Sequence, residues 1–204
     1  KYLSIVDREE CIMPDWSYHG IFRPVLKKVP PIWSREFIHR GMNIIASLPF
    51  GFGGHIINFL GREESSPHLA KEHMGLSFQN PVGLSGVLDP NLSGTRAFSN
   101  LGFGFLEIGP VTWEPTGIGE APIVKEETQS ILFPKESIGF QTAMERLKNI
   151  PPKQPFLIRL QGSYEEIKVM AEGLNPYAAG FIVEASEWMD IGFTDKPMLL
   201  SIQN

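Results

Sequence analysis

From Asn80 to Gly94 the chain reads NPVGLSGVLDPNLSG, a run that turns small at Ser85-Gly86 and reaches a carboxylate at Asp89. Small residues at a strand end let the edge of a planar cofactor come close to the backbone. A glycine packed against a neighbouring element gives the same signal, and residue type leaves both readings open. Further along, Thr112, Glu136, Gln141 and Ser186 stand at the ends of apolar runs. Parallel α/β sheets place binding and acid–base groups at such strand ends. Loop capping and turn formation use the same residue types. Pro90 breaks the pattern, with no charge and no N–H where a basic residue would be looked for.

No self-sufficient motif accompanies these residues. The chain lacks GxxxxGK[ST], HExxH and GxSxG. The glycines of GFGFLEIG lie inside a strand pattern, so they make no dinucleotide fingerprint. His19, His39, His55, His68 and His73 all precede the strand-and-helix region and read as surface or interhelix hydrogen-bonding groups. The single cysteine, Cys11, excludes an internal disulfide and a CxxC metal site. It reads as an ordinary thiol, and no metal is expected. A net charge of −5 argues against nucleic acid as a partner, because phosphates need a basic patch. No apolar run reaches the roughly 20 residues of a transmembrane helix.

These candidates need elements to hold them. Residues 1–33 carry Pro14, Pro24, Pro30 and Pro31 and read as an extended arm. Residues 34–62 read as a helical hairpin, with Ser34 as N-cap and PFGFGG as its break. Its two apolar faces suit the chain's own domain, a bilayer surface or a partner. From residue 63 to 204, after the polar link REESSPHLAKEH, strands and helices alternate. Strands are expected in GLSFQNPVGLSG, GFGFLEIGPVT, QPFLIRLQ, AGFIVEAS and KPMLLSIQN. Helices are expected over Asn91 to Leu101, at the end of ESIGFQTAMERLKNI, and in SYEEIKVMAEGL behind a Ser163/Glu166 capping box. Repeated β-then-α units imply an α/β fold with a parallel sheet. About five strands fit the first part of a (β/α)8 barrel, which takes about 250 residues when closed.

Three stretches, MGLSFQNPVGL, NLGFGFLEIGPVTWEP and IGFQT, resemble the membrane-associated, quinone-reducing (class 2) dihydroorotate dehydrogenases. The matching family runs are GL-x-F-x-NP-x-GL, AAG-F-DK-x-G and MGFGF-x-EIG-x-VT-x-x-P. Upstream, EFIH from Glu36 to His39 is similar to the family's PE-x-AH. The resemblance implies a partial FMN-type TIM barrel, with a helical hairpin that forms a quinone tunnel against a membrane. It places Ser85, Gly86 and Thr112 against the flavin and makes Ser186 the general base. It also implies a mitochondrial inner or bacterial cytoplasmic membrane.

Departures from the family pattern run through the same positions. Pro90 replaces a lysine that touches flavin and substrate. ESIGFQ stands for NRYGFN, so Glu136 and Gln141 take the place of two asparagines, and Glu136 sets a negative charge against an anionic substrate. Arg159 stands for a flavin-facing asparagine, Val183 for another, Trp188 follows, and Ser201 replaces a second lysine. The expectation is a domain that has lost catalysis, holds no cofactor and serves as a structural or interaction subunit. A protein partner would cover its exposed barrel edges, and residues 34–62 would touch the membrane. The alternative is an FMN-dependent dehydrogenase completed by further chain or another subunit.

Overall fold

The computed structural model describes residues 31–48, 53, 67–119, 123–125, 130–132 and 134–183. Lys1–Ile38 and His39–Asn204 form two compact units. Helix α1, Pro31–Ala46, starts earlier than expected. Proline suits the first helical turn, where its missing N–H has no intrahelical partner in any case. Pro31 therefore opens the helix rather than interrupting it, and Ser34 lies inside it rather than at its N-cap. After α1, Gly53 packs so closely on Ile45 and Ala46 that a β-carbon would strike the Ile45 carbonyl oxygen.

The second unit is α/β. Four strands, β3 (Gly83–Leu84), β4 (Phe105–Val111), β7 (Phe156–Leu160) and β8 (Gly180–Val183), form one sheet in that order, all parallel. Parallel neighbours need crossovers, and three further helices lie between them: α2 (Thr95–Phe98), α3 (Phe140–Leu147) and α4 (Tyr164–Leu174). Period-two alternation sends Leu106 and Ile108 of β4, and Phe156, Ile158 and Leu160 of β7, into one core. Ile167, Met170, Ala171 and Leu174 of α4 meet them at helical spacing, with Ala143 and Leu147 of α3. Each large side chain buried there contributes about 1.5–3 kcal/mol. Ser163 and Glu166 form the expected capping box at the start of α4.

Two antiparallel hairpins were not expected. REESSPHLAKEH, read as a polar link, contains β1 (Lys71–His73), which pairs with β2 (Leu76–Phe78). Met74 and Gly75 both have positive φ, 52° and 75°, as the tight turn between them requires. The second hairpin joins β5 (Ile123–Lys125) to β6 (Ser130–Leu132). The helix expected over Asn91 to Leu101 shortens to the single turn of α2. Upstream of it, Asp89 and the left-handed Leu92 (φ 49°) shape a loop instead. The strand expected in KPMLLSIQN lies outside the described residues.

Candidate functional site

The loop after β3 is built around one carboxylate. Asp89 accepts hydrogen bonds from the Ser93 and Gly94 N–H groups, both at 2.9 Å, and from the hydroxyls of Ser93 at 3.2 Å and Thr95 at 2.7 Å. Its other neighbour is His39, whose Nδ1 lies 3.3 Å from Oδ1. Both side chains are buried. The His39 ring also meets Phe98 edge to face, with centroids 5.1 Å apart. Gly94 leaves room for this, since a β-carbon there would come 3.1 Å from the His39 Cβ. Burial opposes the charge on Asp89, but His39, Thr95 and Gly94 together outweigh it and hold the carboxyl below the ordinary carboxylate value. Sequence alone read His39 as a surface or interhelix group; packing carries it to the first strand-end loop.

The other residues of this loop divide between buried and exposed positions. Pro90 is buried, Ser85 is exposed and makes no side-chain cap bond, and Gly86 is buried. A β-carbon on Gly86 would strike the Gly109 carbonyl oxygen and approach the Gly109 nitrogen to 2.8 Å. Gly86 is therefore small because β4's backbone runs against it, which settles one side of the ambiguity in its sequence signal. Leu92 is buried with left-handed φ, a conformation that favours glycine. It occupies the last glycine of the AAG-F-DK-x-G pattern. Arg146 of α3 donates to the Asn91 carbonyl and ties the loop to that helix.

A second loop, following β4, makes a cleft of about 590 Å³ with the end of β7. Thr112 and Gln161 lie just past the two strands, and Trp113, Glu114, Thr116, Lys135 and Glu166 complete its polar and aromatic wall. The Thr112 hydroxyl donates to the Glu114 carbonyl at 2.5 Å, and its N–H donates to the Ser137 hydroxyl oxygen at 3.1 Å. Ser137 also accepts from the Gly139 N–H at 3.2 Å, and its backbone exchanges two 2.9 Å bonds with Thr116. Trp113 stacks on Phe140 with ring centroids 5.5 Å apart. The structure thus brings Thr112 to the cleft and leaves Ser85 and Gly86 out of its lining.

Ser137 is the residue that the sequence concealed. It is 1% exposed, and nothing in ESIGFQ marks its hydroxyl as a clamp between two loops. Ser137→Ala orphans the buried Gly139 N–H and the half-buried Thr112 N–H, so a loss of about 2 kcal/mol is expected. Urea unfolding followed by circular dichroism measures it, and a change under about 0.5 kcal/mol would remove the clamp from the account.

Other expected positions scatter. Glu136 is buried, whereas Gln141 is exposed in the first turn of α3. Arg159 pairs with Glu107 at 2.7 Å, on the alternate positions of β7 and β4 that point away from the helical core. Val183 ends β8, and Ser186, Trp188 and Ser201 lie outside the described residues. Among the described residues no group of three or more His, Cys, Asp or Glu side chains is arranged to hold a metal ion.

Comparison with known proteins gives these loops a context. No family model matches the chain. A dihydroorotate dehydrogenase (quinone) from Kineococcus radiotolerans is 25% identical over 169 residues, 79% of this chain and 45% of that protein. The enzyme of the same name from Alkalilimnicola ehrlichii is 35% identical over 99 residues, 48% of this chain and 26% of its own. That from Vibrio cholerae is 46% identical over 56 residues, 28% of this chain and 17% of its own. The chain spans less than half the length of these curated relatives. Two crystal structures of dihydroorotate dehydrogenase from Eimeria tenella share its fold. The ligand-free form gives a TM-score of 0.51 at 19% identity over 64% of this chain and 44% of that one. The complex with ferulenol gives 0.50 at 18%, over 63% and 41%. The chain therefore resembles the quinone-dependent dihydroorotate dehydrogenases and has an α/β fold of their TIM-barrel type.

Proposed function

Starting from that resemblance, we propose that this chain is a dihydroorotate dehydrogenase-like domain that has given up flavin catalysis and serves as a structural or interaction subunit. The observation that carries this reading is the loop after β3. Where the quoted motif has its lysine the loop has buried Pro90, and the neighbouring carboxylate is consumed by the loop itself. A flavin's pyrimidine edge needs charged or hydrogen-bonding partners, and an unmet polar group there costs about 1–3 kcal/mol. Thr112 is committed too, its hydroxyl to Glu114 and its N–H to Ser137. The residues present do not fit the group.

Partner and place follow as part of the same proposal. Among the described residues β3 and β8 are each paired on one side only, and a protein partner along those edges would satisfy their backbone groups. Membrane association rests on the resemblance, at a mitochondrial inner or bacterial cytoplasmic membrane. Ile44 and Leu48, exposed by 69% and 44%, support a surface contact through residues 34–62. No described helix is long and apolar enough to cross a membrane.

The second reading, an FMN-dependent dihydroorotate dehydrogenase, draws on the exposed strand-end Ser85 and the close match around GFGFLEIGPVT. FMN titration separates the two. The purified chain is expected to show no bound-flavin absorbance near ~450 nm and no saturation with added FMN. Stoichiometric flavin would sink the non-catalytic reading.

A further inference from the structure

The cleft at the ends of β4 and β7 has a chemical character of its own, quite apart from any flavin. It is an open groove of about 590 Å³ whose walls are exposed or half-buried, so an occupant would stay partly in solvent. One wall is the indole of Trp113, 39% exposed and set in place by its stack on Phe140. Two carboxylates, Glu114 and Glu166, line it against one ammonium, Lys135. The wall is stiff: Thr116 and Ser137 bridge its two loops, and the Phe140 N–H donates to the Trp113 carbonyl at 3.3 Å. Glu166 is held by the Ser163 N–H at 2.8 Å and hydroxyl at 2.9 Å, which fixes its charge in position.

An aromatic face beside carboxylates is the combination that attracts a cation, since ring quadrupole and anionic charge act in the same sense. The same charges repel a carboxylate or phosphate. The geometry points to this cleft as a binding site for a small organic cation of the alkylammonium type, with Trp113 as its platform and Glu114 and Glu166 as its counter-charges. The inference rests on the cleft being free of flavin, as proposed above.

Tetramethylammonium chloride is the probe, with sodium chloride at equal ionic strength and sodium benzoate as comparisons. Amide shifts of Gly117 and Gly162, both in the lining, report binding by NMR in the full 204-residue chain. Saturable shifts with tetramethylammonium, weaker by about fivefold in Trp113→Ala and in Glu114→Gln, are expected. Glu114 is exposed and accepts from Thr112 through its backbone carbonyl, so Glu114→Gln leaves that bond in place. Shifts that merely match sodium chloride, persist unchanged in both variants, or saturate more tightly with benzoate would overturn the inference. Flavin absorbance is read on the same sample. Bound flavin sinks the non-catalytic reading, whereas flavin-free protein indifferent to tetramethylammonium sinks this inference alone.

Discussion

Asp89→Asn is expected to cost about 3 kcal/mol, which for a chain of this length lowers the melting temperature by roughly 6–12 °C. The wild-type carboxylate accepts from two N–H groups and two hydroxyls of its own loop and faces the buried His39 of α1. An asparagine amide turns one acceptor into a donor, which then opposes donors already aimed at it. The pH dependence follows from the depressed pKa. Because the folded-state value lies below that of the unfolded chain, the stabilisation is fully present above the unfolded value, about 3.9. It is lost as pH falls through the folded value. Urea midpoints taken from neutral pH down to about pH 2.5 should decline more steeply in the wild type than in Asp89→Asn. Parallel curves would show that Asp89 is not the group responsible.

Gly86→Ala is the second large effect, expected at about 2–3 kcal/mol. The added methyl meets backbone on every side: the Gly109 carbonyl oxygen, the Gly109 nitrogen at 2.8 Å and the Glu107 carbonyl oxygen at 3.0 Å. Backbone inside a parallel sheet cannot swing aside as a side-chain tip can, so β3's loop must lift away from β4. Ser85→Ala, one residue earlier and exposed, serves as the control and should stay within about 0.5 kcal/mol. Equal thermal melts for the two variants would contradict the packing described. Gly86 was also a candidate for close approach to a cofactor, and this pair of substitutions measures its packing role with no ligand present.

Where sequence reading succeeded, the signal was local. A short apolar run rich in Phe, Ile and Val in GFGFLEIGPVT and the apolar run of QPFLIRLQ located β4 and β7, and the Ser163/Glu166 spacing located the start of α4. Its failures share a cause as well. Strands of three residues, as in β1 and β2, are too short to show a period, and Met74 is not a residue that advertises a tight turn. His39 and Asp89 sit far apart in the chain, so no window contains both. Ser137 works through its hydroxyl oxygen toward two N–H groups, one of them 25 residues away. The family resemblance pointed to the loops after β3 and β4, where Asp89 and Thr112 make hydrogen bonds within their own loops. Those bonds join residues whose partnership depends on the folded loop, so residue type alone does not announce them.

Leu92 carries one last consequence. Its left-handed backbone is imposed from outside, because leucine in isolation disfavours that region and a neighbouring structure must over-determine it. The loop from Ser85 to Thr95 is thus not a portable motif. Cut out as a peptide, or grafted onto another scaffold, it would relax at Leu92 and let the ring of donors around Asp89 disperse. Its shape belongs to the sheet and helices that surround it.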